Sequence, residues 1–447
     1  PVPAGAPPIT RRLTAIEATQ ALLRSAVHRQ MVADVPLGAF LSGGLDSSAV
    51  VALARERDPR LQCFTIRNPG AAEEGFADDL PYARRVARHL GVSLTEVEVE
   101  PGDLASDLHW LLAQLDAPIA DPAPLNVFHI CRAARRQGIK VLLSGAGGDD
   151  LFTGYRRHLA LQAEALWGWW PRPLRRGLRL ASGRLSQGSP LGRRLARSFE
   201  LADADPRQRL IHYFRWGTPA GLRRLLSEPL QRQLHDGDAS APLEDWLAQL
   251  PSGLSRLQQM LALEQRFFLA DHNLHYTDAM SMAAGVEVRV PFLDPGLLAL
   301  SWRLPDRFKQ RGRCGKWVLK QAMAGFLPHD VIHRPKTGFG APLRRWLVHD
   351  LQELVADTLS PARLATGGLF TPAPCNSSWR ISSVAAAMTV TPSGRCCVLP
   401  CGGSDRRGAW CDAGARFPWP ADAAGDPVAG GWHHLPRRRS CGRTPPR

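Results

Sequence analysis

Two short segments of the sequence combine glycines, hydroxyl side chains and carboxylates. The first, SGGLDSS at residues 42–48, follows a mostly apolar run at 38–41 and precedes an amphipathic run at 49–55. This order predicts a buried strand, a tight turn and a helix with serines in its first turn. Glycines and a helix N-terminus favour a bound phosphate, and Asp46 offers an oxygen ligand suited to Mg²⁺. The segment lacks the lysine of the GxxxxGK[ST] phosphate loop, so a different loop is predicted.

The second segment, SGAGGDDLFTGY, occupies residues 144–155 and follows another apolar run at 139–143. Taken alone, such a segment is typical of a plain flexible loop. Beside the first segment, however, it supplies a second carboxylate, Asp149, where a Mg²⁺ bound to phosphates would need one.

Apolar runs with the lengths of strands alternate with helical patterns around these segments. Such alternation predicts an α/β fold with a parallel sheet flanked by helices, in which ligands bind at the carboxyl ends of the strands. Residues 156–255, rich in Arg and Leu with a tryptophan cluster at 167–170, are predicted to be helical packing without chemistry. Strands are predicted at 38–41, 61–66, 94–99 and 139–143, and helices at 15–29, 78–90, 104–115, 125–136 and 256–284.

The composition favours a soluble, cytoplasmic protein. No run of about 18 apolar residues predicts a membrane span. The net charge is +15, but residues 371–447 supply six of these charges, so nucleic-acid binding is disfavoured. The first 370 residues hold isolated cysteines and no CxxC pair, which disfavours zinc and favours a reducing compartment. The chain begins without Met, which favours a fragment of a longer product.

Several motifs occur in the order found in one known family. Besides the two segments above, they are DAPIADP at 116–122, GVEVRVPFLD at 285–294, Gly315 with Lys316, and RPKTGFGAP at 334–342. Together they resemble the synthetase domain of glutamine-hydrolysing asparagine synthetase, a member of the ATP pyrophosphatase (PP-loop) superfamily. The resemblance covers about residues 15–373, after a linker at 1–14, and implies an adenine nucleotide alpha hydrolase-like fold with an additional helical portion at 156–284.

The resemblance implies a ligase that adenylates a carboxylate with ATP and then joins ammonia to it, with aspartate as the family's usual substrate. Asp46 and Asp149 would hold Mg²⁺, and Lys336 would stabilise the phosphoryl transition state. Glu287 and Arg289 are interpreted as a structural ion pair rather than as substrate contacts. The residues implied for pyrophosphate are Ser42, Gly43, Gly44, Asp46, Ser47 and Ser48, and those for adenosine are Phe40, Ile66, Ser144 and Gly145.

Departures from the family pattern leave the acceptor open. Ala146 and Ala117 stand where relatives often carry acids. One alternative is therefore a ligase acting on another carboxylate in a biosynthetic cluster, and another is an inactive product that only binds nucleotide. The family's glutaminase domain, which frees ammonia from glutamine, has no counterpart in this sequence. The resemblance is also compatible with a homodimer.

Two further segments invite alternative interpretations. Asp271, His272, His275 and Asp278 suggest a metal site, but helical spacing mixes them with core positions, and we reject them as a ligand set. Past residue 373 the helical pattern ends, and residues 374–447 are rich in Cys, Pro, Gly, Trp and Arg. A shifted reading frame of residues 374–403 permits a helical, family-like sequence, which favours a frameshift near Pro374. A natural disordered basic tail is the alternative.

Overall fold

The computed structural model describes residues 7–67, 79–99, 107–108, 110–117, 119, 121–184, 190–215, 219–234, 239–336 and 351–371. The predicted tail at 374–447 and part of the last motif, residues 337–342, lie outside these ranges. None of the described helices is long and apolar enough to cross a membrane.

Five parallel strands form one sheet, which confirms the predicted α/β class. The strands are β1 Leu37–Phe40, β2 Gln62–Arg67, β3 Ser93–Glu98, β4 Val141–Leu143 and β5 Glu287–Arg289. Their order in the sheet is β3-β2-β1-β4-β5, and every neighbouring pair is parallel. The first four match the predicted strands within about two residues at each end. The fifth was missed because it has only three residues, two of them charged.

Helices cover both faces of the sheet, because successive side chains of a strand point to opposite faces. On one face, Ala39 and Leu143 join a core that includes residues of α1 Arg12–Gln30, α2 Leu45–Ala54 and α3 Leu80–Leu90. On the other face, Phe64 and Leu142 join a second core with α4 Ala123–Arg136. Gly91, at φ +63°, ends α3, as the sequence predicts for that helix.

A third group of helices follows the second glycine-rich segment and has its own apolar core, which includes Leu161, Leu210 and Met260. This confirms the helical interpretation of residues 156–255. The tryptophan cluster is only partly packed: Trp167 is buried, whereas Trp169 is exposed. The second segment itself contains α5 Gly148–Phe152, whose Leu151 and Phe152 belong to the first core. The helices of the third group are α6 Arg156–Glu164, α7 Arg172–Gly183, α8 Pro190–Phe199, α9 Pro206–His212, α10 Pro219–Leu225, α11 Glu228–Gln233, α12 Ala241–Gln249 and α13 Arg256–Leu263.

A long helix leads from this group back to the sheet. It runs from α13 through a π-helical stretch, Glu264–Leu274, into α14 His275–Ala283, which packs beside α4. A 3₁₀ turn, Pro291–Leu293, follows β5. Further helices among the described residues are α15 Pro295–Arg303, α16 Asp306–Lys309, α17 Trp317–Ala322, α18 His329–Ile332, α19 Gln352–Thr358 and α20 Pro361–Gly367.

Candidate active site

The two glycine-rich segments meet where the order of the strands reverses. From β1 the chain moves outward to β2 and β3, then returns to the other side of β1 with β4 and β5. β1 and β4 are therefore neighbours, with Ala39 opposite Leu143. The first segment follows β1 and the second follows β4, so both leave the carboxyl ends of adjacent strands. Crevices at such reversal points are the usual ligand sites of open α/β sheets.

The first loop is held in a tight shape by backbone geometry. Gly43 has φ +70°, and a Cβ there would lie within 2.7 Å of Tyr82 and Ala83 of α3, so only glycine fits. The amide of Ser42 donates to Ser47 Oγ at 3.2 Å, and the two hydroxyl oxygens are 3.0 Å apart. The chain then enters α2 at Leu45, with Gly44 as the residue before the helix.

The second loop packs directly on the first. A Cβ on Gly145 would lie 2.5 Å from the backbone nitrogen of Ser47. A Cβ on Gly148 would lie 2.5 Å from the carboxyl carbon of Asp46, so the glycines let this backbone reach the start of α2. Gly147, at φ +87°, turns the chain into α5. The loops after β1 and β4 therefore form one continuous surface at the start of α2.

Two carboxylates and two ammonium groups meet at this junction. Lys316 Nζ lies 2.5 Å from Asp46 Oδ2 and 2.6 Å from Asp149 Oδ1. Lys336 Nζ lies 2.6 Å from Asp149 Oδ2. The side chains of Lys316, Asp46 and Asp149 are about one-tenth exposed, at 7%, 11% and 9%, whereas that of Lys336 is 43% exposed. The structure thus brings together three residues that the sequence predicted and one, Lys316, for which it predicted no role.

Burial and the neighbouring charges shift the pKa values of the groups in this cluster. Burial raises the pKa of Asp46 more than the adjacent Lys316 lowers it. For Asp149, burial acts in the same direction, but Lys316 and Lys336 outweigh it and hold its pKa well below the usual range. Burial opposes the charge of Lys336, yet Asp149 and Asp46 raise its pKa above the ordinary value. At neutral pH, Lys336 is therefore a cation and Asp149 an anion.

The donor set fits a divalent cation that arrives with phosphates. Among the described residues, no group of three or more His, Cys, Asp or Glu side chains could hold a metal by itself. Asp46 Oδ1 is nevertheless buried without a hydrogen-bond partner in the described part of the chain. Magnesium sites commonly use one or two carboxylates and complete their shell with substrate phosphates and water. Asp46 and Asp149 provide such a pair.

Arg334 ties the segment that carries Lys336 to the first loop. It donates to the carbonyl oxygen of Gly43 at 3.1 Å and forms an ion pair with Asp79 at the start of α3. Its guanidinium carbon lies 4.1 Å from the ring centroid of Tyr82. The sequence motif contained Arg334, but nothing in its spacing indicated these contacts.

A buried polar network supports the second loop from behind. His158 Nδ1 accepts hydrogen bonds from the backbone N–H groups of Gly154 and Tyr155. The proton of His158 is therefore on Nε2, which donates to Glu264 Oε2 at 2.9 Å. Arg157 also pairs with Glu264. The sequence could not reveal this network, because more than 100 residues separate Glu264 from both partners.

The residues predicted for adenosine and pyrophosphate lie at or shortly after the carboxyl ends of β1, β2 and β4. Phe40 ends β1, Ile66 lies near the end of β2, and Ser144 and Gly145 follow β4. Ser48 is fully buried in the first turns of α2, and its hydroxyl has no hydrogen-bond partner among the described residues. The assignment of these residues to parts of ATP stays a prediction.

Glu287 and Arg289 form the predicted ion pair, at 2.7 Å. Arg289 also donates to the backbone carbonyls of Gln30 and Val32, which fastens the end of α1 to β5. These contacts are structural.

The residues rejected as a metal site form separate contacts. Asp271 pairs with Arg266, and His275 Nε2 lies 2.6 Å from Asp116 Oδ1. His272 stacks on Phe268.

The chain is similar to asparagine synthetases over most of its length. A family model described as asparagine synthase matches residues 18–386. A putative glutamine-hydrolysing asparagine synthetase of Mycobacterium tuberculosis (strain H37Rv) is 35% identical over 330 residues, which cover 73% of this chain and 48% of that protein. Asparagine synthetase [glutamine-hydrolysing] 1 of Bacillus subtilis is 28% identical over 348 residues, covering 76% and 51%.

A more distant relative is named for a different activity. Amidase chyE of Penicillium rubens is 23% identical over 366 residues, covering 74% of this chain and 53% of that one. The chain spans about half the length of these curated relatives. A solved U34-tRNA thiolase, NcsA of Methanococcus maripaludis, aligns with 63% of this chain and 84% of its own at a TM-score of 0.22 and 14% identity, a level that carries no conclusion.

Proposed function

The chain belongs to the asparagine synthase family, and from this membership we propose that it forms an amide from a carboxylate with ATP, releasing AMP and pyrophosphate. The observation that carries the proposal is the junction of the two loops. There Asp46, Asp149 and Lys336 come together at the carboxyl ends of adjacent strands. In this arrangement Lys336 would be a cationic partner for the phosphates of ATP, and Asp46 and Asp149 would be ligands for a metal bound to them.

The first step is adenylation of the substrate. A carboxylate oxygen attacks the α-phosphorus of ATP, the bond between that phosphorus and the bridging oxygen breaks, and pyrophosphate leaves. Ser42, Gly43, Gly44, Ser47 and the N-terminus of α2 would hold the pyrophosphate, since helix N-termini bind anions.

Lys336 and the carboxylate pair would act on the phosphoryl group in this step. The protonated Lys336 would stabilise the negative charge that develops on the α-phosphoryl oxygens. Asp46 and Asp149 would hold Mg²⁺, which neutralises phosphate charge and orients the phosphate chain.

The second step forms the amide. Ammonia attacks the acyl carbon of the adenylate, AMP leaves, and the nitrogen loses a proton. Adenylation is needed because a free carboxylate is a poor electrophile and AMP provides a leaving group. We propose aspartate as the acceptor, because the relatives are named for the synthesis of asparagine, the amide of aspartate. Ammonia is the proposed nitrogen donor, delivered from glutamine where a glutaminase is present. Because Ala146 stands where relatives often carry an acid, the acceptor needs a direct test.

Exchange of labelled pyrophosphate into ATP tests the proposal. The exchange should depend on aspartate, because pyrophosphate re-enters ATP only through the acyl-adenylate. A panel of other acids, including glutamate and amino-acid-derived carboxylates, serves as the comparison. If a different acid supports exchange, that acid and not aspartate is the acceptor. If no acid supports exchange in a protein that still binds ATP, the proposed reaction is contradicted.

A further inference from the structure

Lys316 is fixed in place more firmly than a surface lysine. Its backbone has φ +54°, a conformation that non-glycine residues rarely adopt. Its N–H donates to the carbonyl of Phe152 at 3.1 Å and lies 3.2 Å from Thr153 Oγ1. A Cβ on Gly154 would lie 2.8 Å from Lys316 Cε and 1.7 Å from Asp149 Oδ1, so the backbone of Gly154 closes around both side chains. The second loop and the start of α17 thus hold this lysine against the carboxylates.

The ammonium group of Lys316 takes the position between the two carboxylates. One nitrogen lies 2.5 Å from Asp46 Oδ2 and 2.6 Å from Asp149 Oδ1, so both oxygens converge on one point. A divalent cation shared by Asp46 and Asp149 would need the same point, because Mg²⁺ ligands lie about 2.0–2.1 Å from the ion. The lysine and a shared metal therefore compete for these oxygens.

The charges of the cluster lead to the same result. Asp46 and Asp149 carry two negative charges when ionised, and Lys316 and Lys336 carry two positive charges within 2.6 Å of them. A free divalent cation would add two further charges to a mostly buried cluster that is already balanced, at a large electrostatic cost. A cation bound to ATP brings compensating phosphate charges.

We propose that Lys316 is a resident counter-ion that closes the carboxylate pair to free divalent cations, so that metal enters only as its nucleotide complex. In this role Lys316 is a positioning residue that orders the binding of metal and ATP. The inference rests on the proposed function only in taking Asp46 and Asp149 as metal ligands.

Binding of Mn²⁺ alone, followed by its electron paramagnetic resonance signal, tests this on the full chain. Wild type should leave Mn²⁺ free. Lys316→Met keeps the backbone and the apolar stem but removes the charge, so it should bind Mn²⁺ at least about tenfold more tightly, since a unit charge at this distance is worth that much. Mn²⁺ should also raise the melting temperature of this variant and leave that of wild type unchanged.

Three further variants make the result specific. Lys320→Met is the control for the loss of a lysine charge. Lys320 lies one turn further along α17, its Nζ contacts Cys314 Sγ at 3.7 Å, and the variant should behave as wild type. Lys316→Arg retains the charge and should still exclude Mn²⁺. Adding Asp149→Asn to Lys316→Met should abolish the gained affinity. Lys316→Gln, which removes the charge but keeps a polar N–H donor, replaces the Met variant if that protein does not fold.

Two results would overturn the inference: tight binding of Mn²⁺ alone by wild type, or no gain of affinity in a folded variant without the Lys316 charge. Neither depends on turnover. If the Mn²⁺ results are as expected but no acid supports pyrophosphate exchange, the proposed function fails while the role of Lys316 stands. If exchange occurs and the Mn²⁺ results fail, only the inference is wrong.

Discussion

Gly145 lies so close to Ser47 that a Cβ on the glycine would be 2.5 Å from the serine's backbone nitrogen. Real Cβ atoms do not approach a backbone nitrogen this closely, and the neighbouring atoms belong to backbone that cannot rotate away. The contact joins the loop after β4 to the first turn of α2. Any side chain at this position must therefore separate the two loops that line the crevice.

Gly145→Ala is expected to lower pyrophosphate exchange by about 100-fold, since a displacement of roughly 1 Å at a reacting centre has an effect of that order. The fold should persist, because only a local shift is needed. The matched control is Gly177→Ala in α7, where a Cβ would meet nothing within 4 Å. Equal exchange rates in the two variants would contradict the proposed contact between the loops.

Asp46→Asn should reduce exchange to background. The change keeps the shape of the side chain and removes the charge that both Lys316 and a metal need. Asp271→Asn is the control, because Asp271 pairs with the exposed Arg266. Exchange is measured at several Mg²⁺ concentrations with constant ATP. Undiminished exchange in Asp46→Asn would refute the assignment of this carboxylate.

Much of this site could be predicted from local sequence. The strands, the two glycine-rich loops and the carboxylates Asp46 and Asp149 follow from short patterns, because each lies within one strand–loop–helix unit. The alternation of strands and helices predicted the parallel sheet, but the strand order that brings the two units together was not predicted. The predicted end of the helix at 78–90 is also confirmed, because Gly91 follows it in the left-handed conformation that favours glycine.

The contacts that arrange these groups were not predictable. Lys316 reaches Asp46 across 270 positions and Arg334 reaches Gly43 across 291, so no local pattern relates them. The Lys316 motif indicated family resemblance but no role. The His158–Glu264 pair is likewise a product of tertiary packing, in which a π-helical stretch carries the glutamate to the back of the second loop.

Lys336→Gln should lower the rate of exchange by about 10³-fold with a smaller change in the KM for ATP, because its charge acts mainly on the developing transition state. Lys140→Gln is the control. Lys140 is exposed and lies at the amino end of β4, whereas the candidate site lies at the carboxyl ends of the strands. The negative neighbours raise the pKa of Lys336 above its ordinary 10.5. Its deprotonation should therefore cause no loss of wild-type exchange below pH 10.

Lys309 allows a prediction about stability. It is almost fully buried, with Nζ 5.7 Å from the ring centroid of Trp302, and burial lowers its pKa to about 8 although Asp306 opposes this. Below pH 8 the lysine is charged in both the folded and the unfolded state, and the folded state bears the cost of burying that charge. Between pH 8 and 10.5 the unfolded state binds more protons, so the contribution of Lys309 to stability rises with pH.

Urea unfolding of wild type and Lys309→Met at pH 7.5 and pH 9.5 measures this contribution. The Met variant keeps the apolar stem and removes the charge, so it should be the more stable protein at pH 7.5. Its advantage should shrink by about 2 kcal/mol at pH 9.5, from 1.36 kcal/mol for each pH unit of the window. Comparing the two proteins cancels the titration of all other groups. An advantage that stays constant with pH, or grows, would show that Lys309 is not a buried cation in the folded chain.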